Sequence, residues 1–182
     1  MPDSASQSRV ERALLEPGRN CWRVERTGRA ALIVDAADYF RLARAAMMKA
    51  QKQILLMGWD LDTRIKLLGE AHEGDSEGPV HLGAFLAWLA KRRPGLRIHI
   101  LAWGGQSYRF LGRGTTLARL AAWRLFNRRI DFELDSQHPR EASHHHKILV
   151  VDDALAFCGG IDMTASRWDT REHKDDERGR RR

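Results

Sequence analysis

Two side chains that suit phosphoryl chemistry lie two positions apart in the C-terminal part of the chain: His145 and Lys147. In an extended strand, residues at this spacing point to the same face of the sheet. An imidazole beside an ammonium group favours phosphoryl transfer, because the nucleophile attacks phosphorus while the cation stabilises the non-bridging oxygens. Lysine supplies this point charge without a metal ion. Asp152 follows where the strand gives way to a turn, a position that favours organising the turn over contacting substrate.

A metal site is the alternative for this segment, because His144, His145 and His146 are consecutive. Neighbouring side chains of a strand point to opposite faces, so three consecutive imidazoles do not converge easily on one ion. Cysteine or carboxylate ligands at metal spacing are also missing nearby. We therefore predict no metal and no other cofactor.

A sheet is needed to position these residues, and the hydrophobic pattern predicts one. Apolar residues recur at helical spacing in some segments and alternate or form short runs in others. Asp35 is expected to cap the first helix. We predict helices at residues 36–50, 80–93 and 111–127, a hairpin of strands at 21–26 and 30–34, and further strands at 54–58, 59–67, 96–103, 130–134, 147–152 and 155–158. This alternation is typical of an α/β fold, and we expect an α/β sandwich on a mixed sheet.

Length and charge restrict the possible classes of protein. The chain has 182 residues and a formal net charge of +7, which allows one domain and favours an anionic partner such as phosphate, a lipid surface or nucleic acid. No apolar run approaches the roughly 20 residues that cross a bilayer. Cys21 and Cys158 are too few for a disulfide framework, and residues 1–9 lack an apolar signal core. We expect a cytoplasmic protein, with peripheral contact at the inner membrane as a further option.

The motif residues resemble a known family. His145, Lys147 and Asp152 fit the H-x-K-x4-D motif of the phospholipase D superfamily, and Gly159-Gly160 follows at the spacing of its extended form. The context is similar to bacterial phospholipase D, over residues 21–176. Segments 58–62, 135–139, 143–147, 150–157, 159–162 and 167–170 carry this similarity.

The resemblance implies a role for each candidate residue. In this family the motif histidine is the nucleophile and forms a phosphohistidine, which assigns that role to His145, and Lys147 would bind the phosphate. Asp152 is the third motif residue, and Asp169 is our candidate for the carboxylate that orients the nucleophile. Gly159 and Gly160 would let the backbone approach the substrate closely. His138, just before the motif, is either a lining residue of the substrate pocket or an ordinary loop histidine.

The chain departs from the family in carrying a single motif, whereas family members combine two, in one chain or across a homodimer. The second histidine protonates the leaving group, so we expect a partner half, and we favour a fragment corresponding to the N-terminal half over a homodimer. The predicted organisation is a loose segment at 1–20, the catalytic fold at 21–166 and a charged segment at 167–182. The leading function is hydrolysis or exchange of phospholipid head groups; a homodimeric nuclease and a half-enzyme that only binds phosphate or anionic lipid are the alternatives.

Overall fold

The computed structural model describes residues 14–69, 74, 77–103, 120, 122–123, 128–139 and 141–177. Its contacts divide the chain into two units, residues 1–32 and 33–182. In the first unit, a turn closed by an isolated bridge between Pro17 and Cys21 is followed by irregular chain. Trp22 and Leu32 are 87% and 90% exposed there.

The predicted hairpin at 21–34 is wrong, because residues 22–34 form no strand. The turn at its centre is present in part, since the Thr27 hydroxyl donates to the Arg29 carbonyl. Two short strands alone are marginally stable in water unless a further strand or a helix covers them. The alternating pattern of these residues therefore does not suffice to form strands.

The second unit contains a five-stranded mixed sheet. Its strands are β1 (Gln53–Gly58), β2 (Arg97–Trp103), β3 (Ile130–Asp135), β4 (Lys147–Val151) and β5 (Leu155–Cys158), in the order β3-β2-β1-β4-β5. The pairs β1/β2 and β2/β3 are parallel, whereas β4 runs antiparallel to both β1 and β5. The expectation of an α/β fold on a mixed sheet is confirmed.

The helices whose bounds lie within the described residues are α1 (Ala36–Met47) and α2 (Leu82–Arg92), and a short 3-10 helix spans Ala165–Arg167. In α1, residues such as Phe40, Ala43 and Met47 recur at helical spacing and are fully buried. Alternate residues of β1, β2 and β4 are buried with them in one hydrophobic core. None of the described helices is long and apolar enough to span a bilayer.

Asp35 occupies the N-cap position of α1, as predicted, but its side chain makes no capping hydrogen bond. Its carboxylate instead lies 3.4 Å from Nε2 of His173. Asp169 joins the same cluster, with its carbonyl accepting from the Ala37 amide and its carboxylate 3.2 Å from Nδ1 of His173. The segment that follows the 3-10 helix is thereby tied to the start of α1.

The predicted strand at 59–67 is also wrong. This segment is irregular and mostly buried, with isolated bridges from Leu61 to Met163 and from Lys66 to His81. Its apolar alternation reflects packing against α2 and the chain around Met163 rather than strand pairing. The predicted helix at 111–127 lies almost entirely outside the described residues.

Asp152 is a connecting residue of the fold. Its carboxylate accepts hydrogen bonds from the backbone amides of Gln51, Lys52 and Gln53 at 2.7, 2.8 and 2.8 Å. These bonds join the β4–β5 turn to the chain that enters β1. Burial raises the pKa of Asp152, but the three amide donors outweigh it and hold the pKa below its ordinary value. The ionised carboxylate therefore stabilises the folded state.

We predict that Asp152→Asn lowers the free energy of unfolding by about 1–2 kcal/mol at pH 7, because a carboxylate with three donors becomes a neutral amide. Asp153→Asn is the matched control, since Asp152 and Asp153 both have positive φ, of 54° and 55°, and asparagine tolerates that conformation. Urea unfolding of both variants measures the difference.

The effect of pH follows from the lowered pKa. The stabilisation by Asp152 is fully present above the ordinary carboxyl pKa of 3.8 and is lost as pH falls through the lower folded value. The gap between wild type and Asp152→Asn should therefore close in acid. A gap that stays constant down to pH 2 would contradict this account.

Candidate active site

The sheet topology brings the chemically interesting side chains to one edge. The parallel strands β1, β2 and β3 end at this edge, and the antiparallel strand β4 begins there, since Gly58 pairs with Lys147 and Trp103 pairs with Asp135. The residues just before β4 therefore meet those just after β1 and β2. His145, Trp59 and Trp103 become neighbours in this way.

Lys147 is held in a buried ion pair. Its Nζ lies 3.2 Å from Oδ2 of Asp162, and the two side chains are only 4% and 1% exposed. The pair makes no well-aligned hydrogen bond at Nζ or at Oδ2 among the described residues. The ring of Trp59 lies 5.9 Å from Nζ. The ammonium is thus buried and charge-compensated.

Asp162 also organises the turn after β1. Its Oδ1 accepts from the backbone amides of Trp59 and Asp60 at 3.0 and 3.2 Å. Gly58 permits this close packing, because a Cβ there would lie 3.1 Å from the Asp60 carbonyl oxygen and 3.5 Å from Oδ1 of Asp162. One carboxylate therefore places both the lysine and the turn. Asp162 was not among the predicted site residues, although it ends the Gly-Gly-Ile-Asp segment that carried the resemblance.

His145 is exposed and precedes the strand, because β4 begins at Lys147. The two side chains differ in burial, since Lys147 is buried and His145 is exposed. The imidazole packs against Trp59 in an edge-to-face arrangement with ring centroids 5.4 Å apart. Trp59 in turn stacks on Trp103 at 5.4 Å and an interplanar angle of 12°. This aromatic support restricts the orientation of His145 while leaving it accessible.

Further histidines continue this row of rings. His138 lies 5.7 Å from Trp103 and 5.9 Å from His144, between ring centroids. Its Nδ1 lies 2.9 Å from the Pro139 carbonyl oxygen, which only accepts, so Nδ1 is the donor of this hydrogen bond. Contact with substrate stays a prediction.

Asp135 and His144 form a hydrogen-bonded pair in the same region. This bond from His144 holds the pKa of Asp135 below its ordinary value, against the opposing effect of burial. No cluster of three or more histidine, cysteine or acidic side chains within the described ranges has the geometry to hold a metal ion.

The other predicted residues have contacts of their own, and the Gly159 amide donates to the Lys147 carbonyl at 3.3 Å. Asp152 is at the end of β4 opposite Lys147, bonded to backbone amides. Asp169 accepts from the Thr170 amide at 2.8 Å and pairs with His173. Gly159 and Gly160 have open space, because a Cβ at either would meet no atom within 4 Å. Close backbone approach within this chain therefore does not require these glycines.

Comparison with known proteins identifies relatives that are all named phospholipase D. The chain is 28% identical over 182 residues to human phospholipase D1, covering 91% of this chain and 16% of that protein. It is 30% identical over 149 residues to the mouse protein of the same name, covering 78% of this chain and 13% of that protein. Maize phospholipase D alpha 1 is 28% identical over 156 residues, covering 70% and 19%. The chain thus spans less than a fifth of the length of these relatives.

The solved structure of Nuc, a phospholipase D family member from Salmonella typhimurium, is similar with a TM-score of 0.46 and 20% identity, covering 72% of this chain and 69% of that one. No protein-family model matches. These sequence relatives share the name phospholipase D. The chain belongs to the phospholipase D superfamily.

We predict that Asp162→Asn lowers the free energy of unfolding by about 3 kcal/mol, because it leaves the buried Lys147 ammonium without its counter-charge. In the double variant with Lys147→Met the loss should be smaller than the sum of the single losses. Chemical denaturation of the four proteins in this cycle gives the coupling energy.

The control for this cycle is the exposed pair of Glu77 and Arg92, whose side chains are 56% and 57% exposed. Glu77→Gln should change stability by less than about 0.5 kcal/mol. If Asp162→Asn and Glu77→Gln lower the free energy of unfolding equally, the buried pair contributes no more to stability than an exposed one.

Proposed function

We propose that the chain carries one catalytic half of a phospholipase D-type phosphodiesterase, which hydrolyses phospholipid head groups or exchanges them for another alcohol. The observation that carries this proposal is the buried ion pair of Lys147 with Asp162 beside the exposed, aromatic-supported His145. Such a site combines a fixed cation with an accessible nucleophile. Phosphoryl transfer requires both of these components of the protein.

The reaction proceeds by two displacements at phosphorus. In the first, an unprotonated imidazole nitrogen of His145 forms a P–N bond as the P–O bond to the head-group alcohol breaks. In the second, a water or alcohol oxygen attacks phosphorus and the P–N bond breaks, which regenerates the histidine. Lys147 stabilises the charge on the non-bridging oxygens in both steps.

Each displacement also needs a proton carrier. The leaving alkoxide takes a proton in the first step, and the attacking hydroxyl gives one up in the second, so one group of suitable pKa serves both. The family resemblance assigns this task to the histidine of a second motif, in another part of a longer protein or in a second copy. The open space at Gly159 and Gly160 is compatible with such a neighbour. Asp169 as the orienting carboxylate and Asp152 as a catalytic residue stay predictions.

A nuclease acting as a homodimer is the second candidate, and the net charge of +7 favours it, since a polyanionic substrate would be attracted by a basic surface. The third candidate is a catalytically incomplete half-enzyme that binds phosphate or anionic lipid without turnover. For the leading candidate we propose a cytoplasmic location with peripheral membrane contact, because the scissile bond then lies at a bilayer surface.

We predict that the chain, paired with its second half or as a dimer, releases choline from phosphatidylcholine vesicles in EDTA, and that His145→Asn reduces the rate at least about 10³-fold by removing the nucleophile. His146→Asn is the matched control, because His146 is an exposed neighbour outside the motif positions. It should retain activity within about threefold. Choline release by an enzyme-coupled assay gives the rates.

Three further measurements separate the candidates. Phosphoryl label from a radioactive phospholipid should appear on wild type but not on His145→Asn, as an acid-labile, alkali-stable adduct. Cleavage of single-stranded DNA in EDTA without choline release would replace the lipid substrate with nucleic acid. If light scattering shows a folded dimer that neither releases choline nor cleaves single-stranded DNA, the non-catalytic half-enzyme is the remaining candidate.

A further inference from the structure

Tyr39 lies in the cleft that contains the buried ion pair, and none of the roles above involves it. It sits in the second turn of α1, and its ring packs against Phe40 and Phe157 with centroids 5.7 and 5.9 Å apart. The same cleft is lined by Gly58, Asp60, Lys147 and Asp162. No hydrogen bond between described residues involves the Tyr39 hydroxyl. Tyr39, on α1, and the two residues of the ion pair therefore line the same cleft.

We propose that the Tyr39 hydroxyl is a second hydrogen-bond donor to the phosphoryl group, acting beside Lys147 in this cleft. The proposal rests on the function above and deepens it by naming a further substrate-binding residue. Two donors from different elements, α1 and β4, would then contact the non-bridging oxygens. Tyr39 contributes no proton to the reaction in this role and stays neutral throughout.

Charge balance explains why a second donor matters here. The positive charge of Lys147 is already offset by Asp162 at 3.2 Å, so the pair as a whole attracts an anion less than a free ammonium would. Asp162 is also a negative charge close to the anion. A neutral O–H group adds a hydrogen bond to the phosphoryl oxygens without adding a charge that needs its own counter-ion.

The protonation state of Tyr39 suits a donor. Burial, with the nearby charge of Asp162, raises the pKa of the Tyr39 hydroxyl to about 12. The O–H proton is therefore retained at any pH at which the protein would work. A phenylalanine would pack equally well against Phe40 and Phe157, so ring packing alone does not account for the hydroxyl.

Binding of inorganic phosphate to the whole chain tests the proposal without requiring turnover. Titration at pH 7, followed by ³¹P NMR, should give affinity that is about 5- to 20-fold weaker in Tyr39→Phe and largely lost in Lys147→Gln. Because the hydroxyl titrates near 12, the ratio of wild-type to Tyr39→Phe affinity should stay constant from pH 6 to pH 9.

Two controls separate the hydroxyl from packing and from general hydroxyl loss. Ser166→Ala removes a hydroxyl from the 3-10 helix, whose residue Ser166 is exposed, and should bind phosphate within twofold of wild type. Phe157→Leu disturbs the ring packing of Tyr39 but keeps its hydroxyl, and should also bind within about twofold. Thermal melts establish that each variant is folded.

The outcomes distinguish this proposal from the proposed function. If Lys147→Gln loses phosphate but Tyr39→Phe binds like wild type, the role of Tyr39 is refuted and the proposed function stands. If Phe157→Leu weakens binding as much as Tyr39→Phe, the effect is packing and the hydroxyl role is again refuted. If wild type and Lys147→Gln bind phosphate equally or not at all, both proposals fail.

Discussion

The ion pair between Lys147 and Asp162 is the interaction on which the rest of the site depends. Removing two charges from water is costly, and attraction in a low-dielectric interior offsets the cost only when further hydrogen bonds satisfy both groups. This condition is met only at Oδ1 of Asp162, which accepts from the amides of Trp59 and Asp60. Nζ of Lys147 and Oδ2 of Asp162 make no well-aligned hydrogen bond among the described residues. The pair thereby links β4, the turn after β1 and the chain after β5, so the cation cannot move without disturbing the sheet edge.

The residues of one sequence motif divide into different physical roles. Lys147 is buried and electrostatically fixed, whereas His145, two positions earlier, is exposed and supported by the stacked rings of Trp59 and Trp103. Asp152 is at the other end of β4 and binds the backbone that enters β1. The motif therefore spans the length of β4. Its candidate catalytic residues lie at the start of the strand, and Asp152, which stabilises the fold, lies just after its end.

Much of the sheet was predictable, because its strands are short apolar runs that end in glycine, charge or a turn, and both described helices have one buried stripe. The errors occurred where apolar alternation had no strand partner, at residues 22–34 and 59–67. Within the site, the motif predicted Lys147 and His145 as neighbours. The partnership of Lys147 with Asp162 was not predictable from spacing, because it depends on how the chain after β5 returns to the sheet edge. Tyr39 was not among the predicted site residues, since its helical spacing indicated packing alone.

The antiparallel pairing of β4 with β1 has a consequence for how the chain acquires its shape. Gln53 and Asp152, which are hydrogen-bonded, are separated by 99 positions in sequence. Pairings of such long range close large loops and tend to slow folding. During synthesis, β1 is completed long before β4 leaves the ribosome, so one of its edges stays unpaired in the interim. An unpaired apolar edge is prone to self-association, so low temperature and slow expression should favour recovery of this chain.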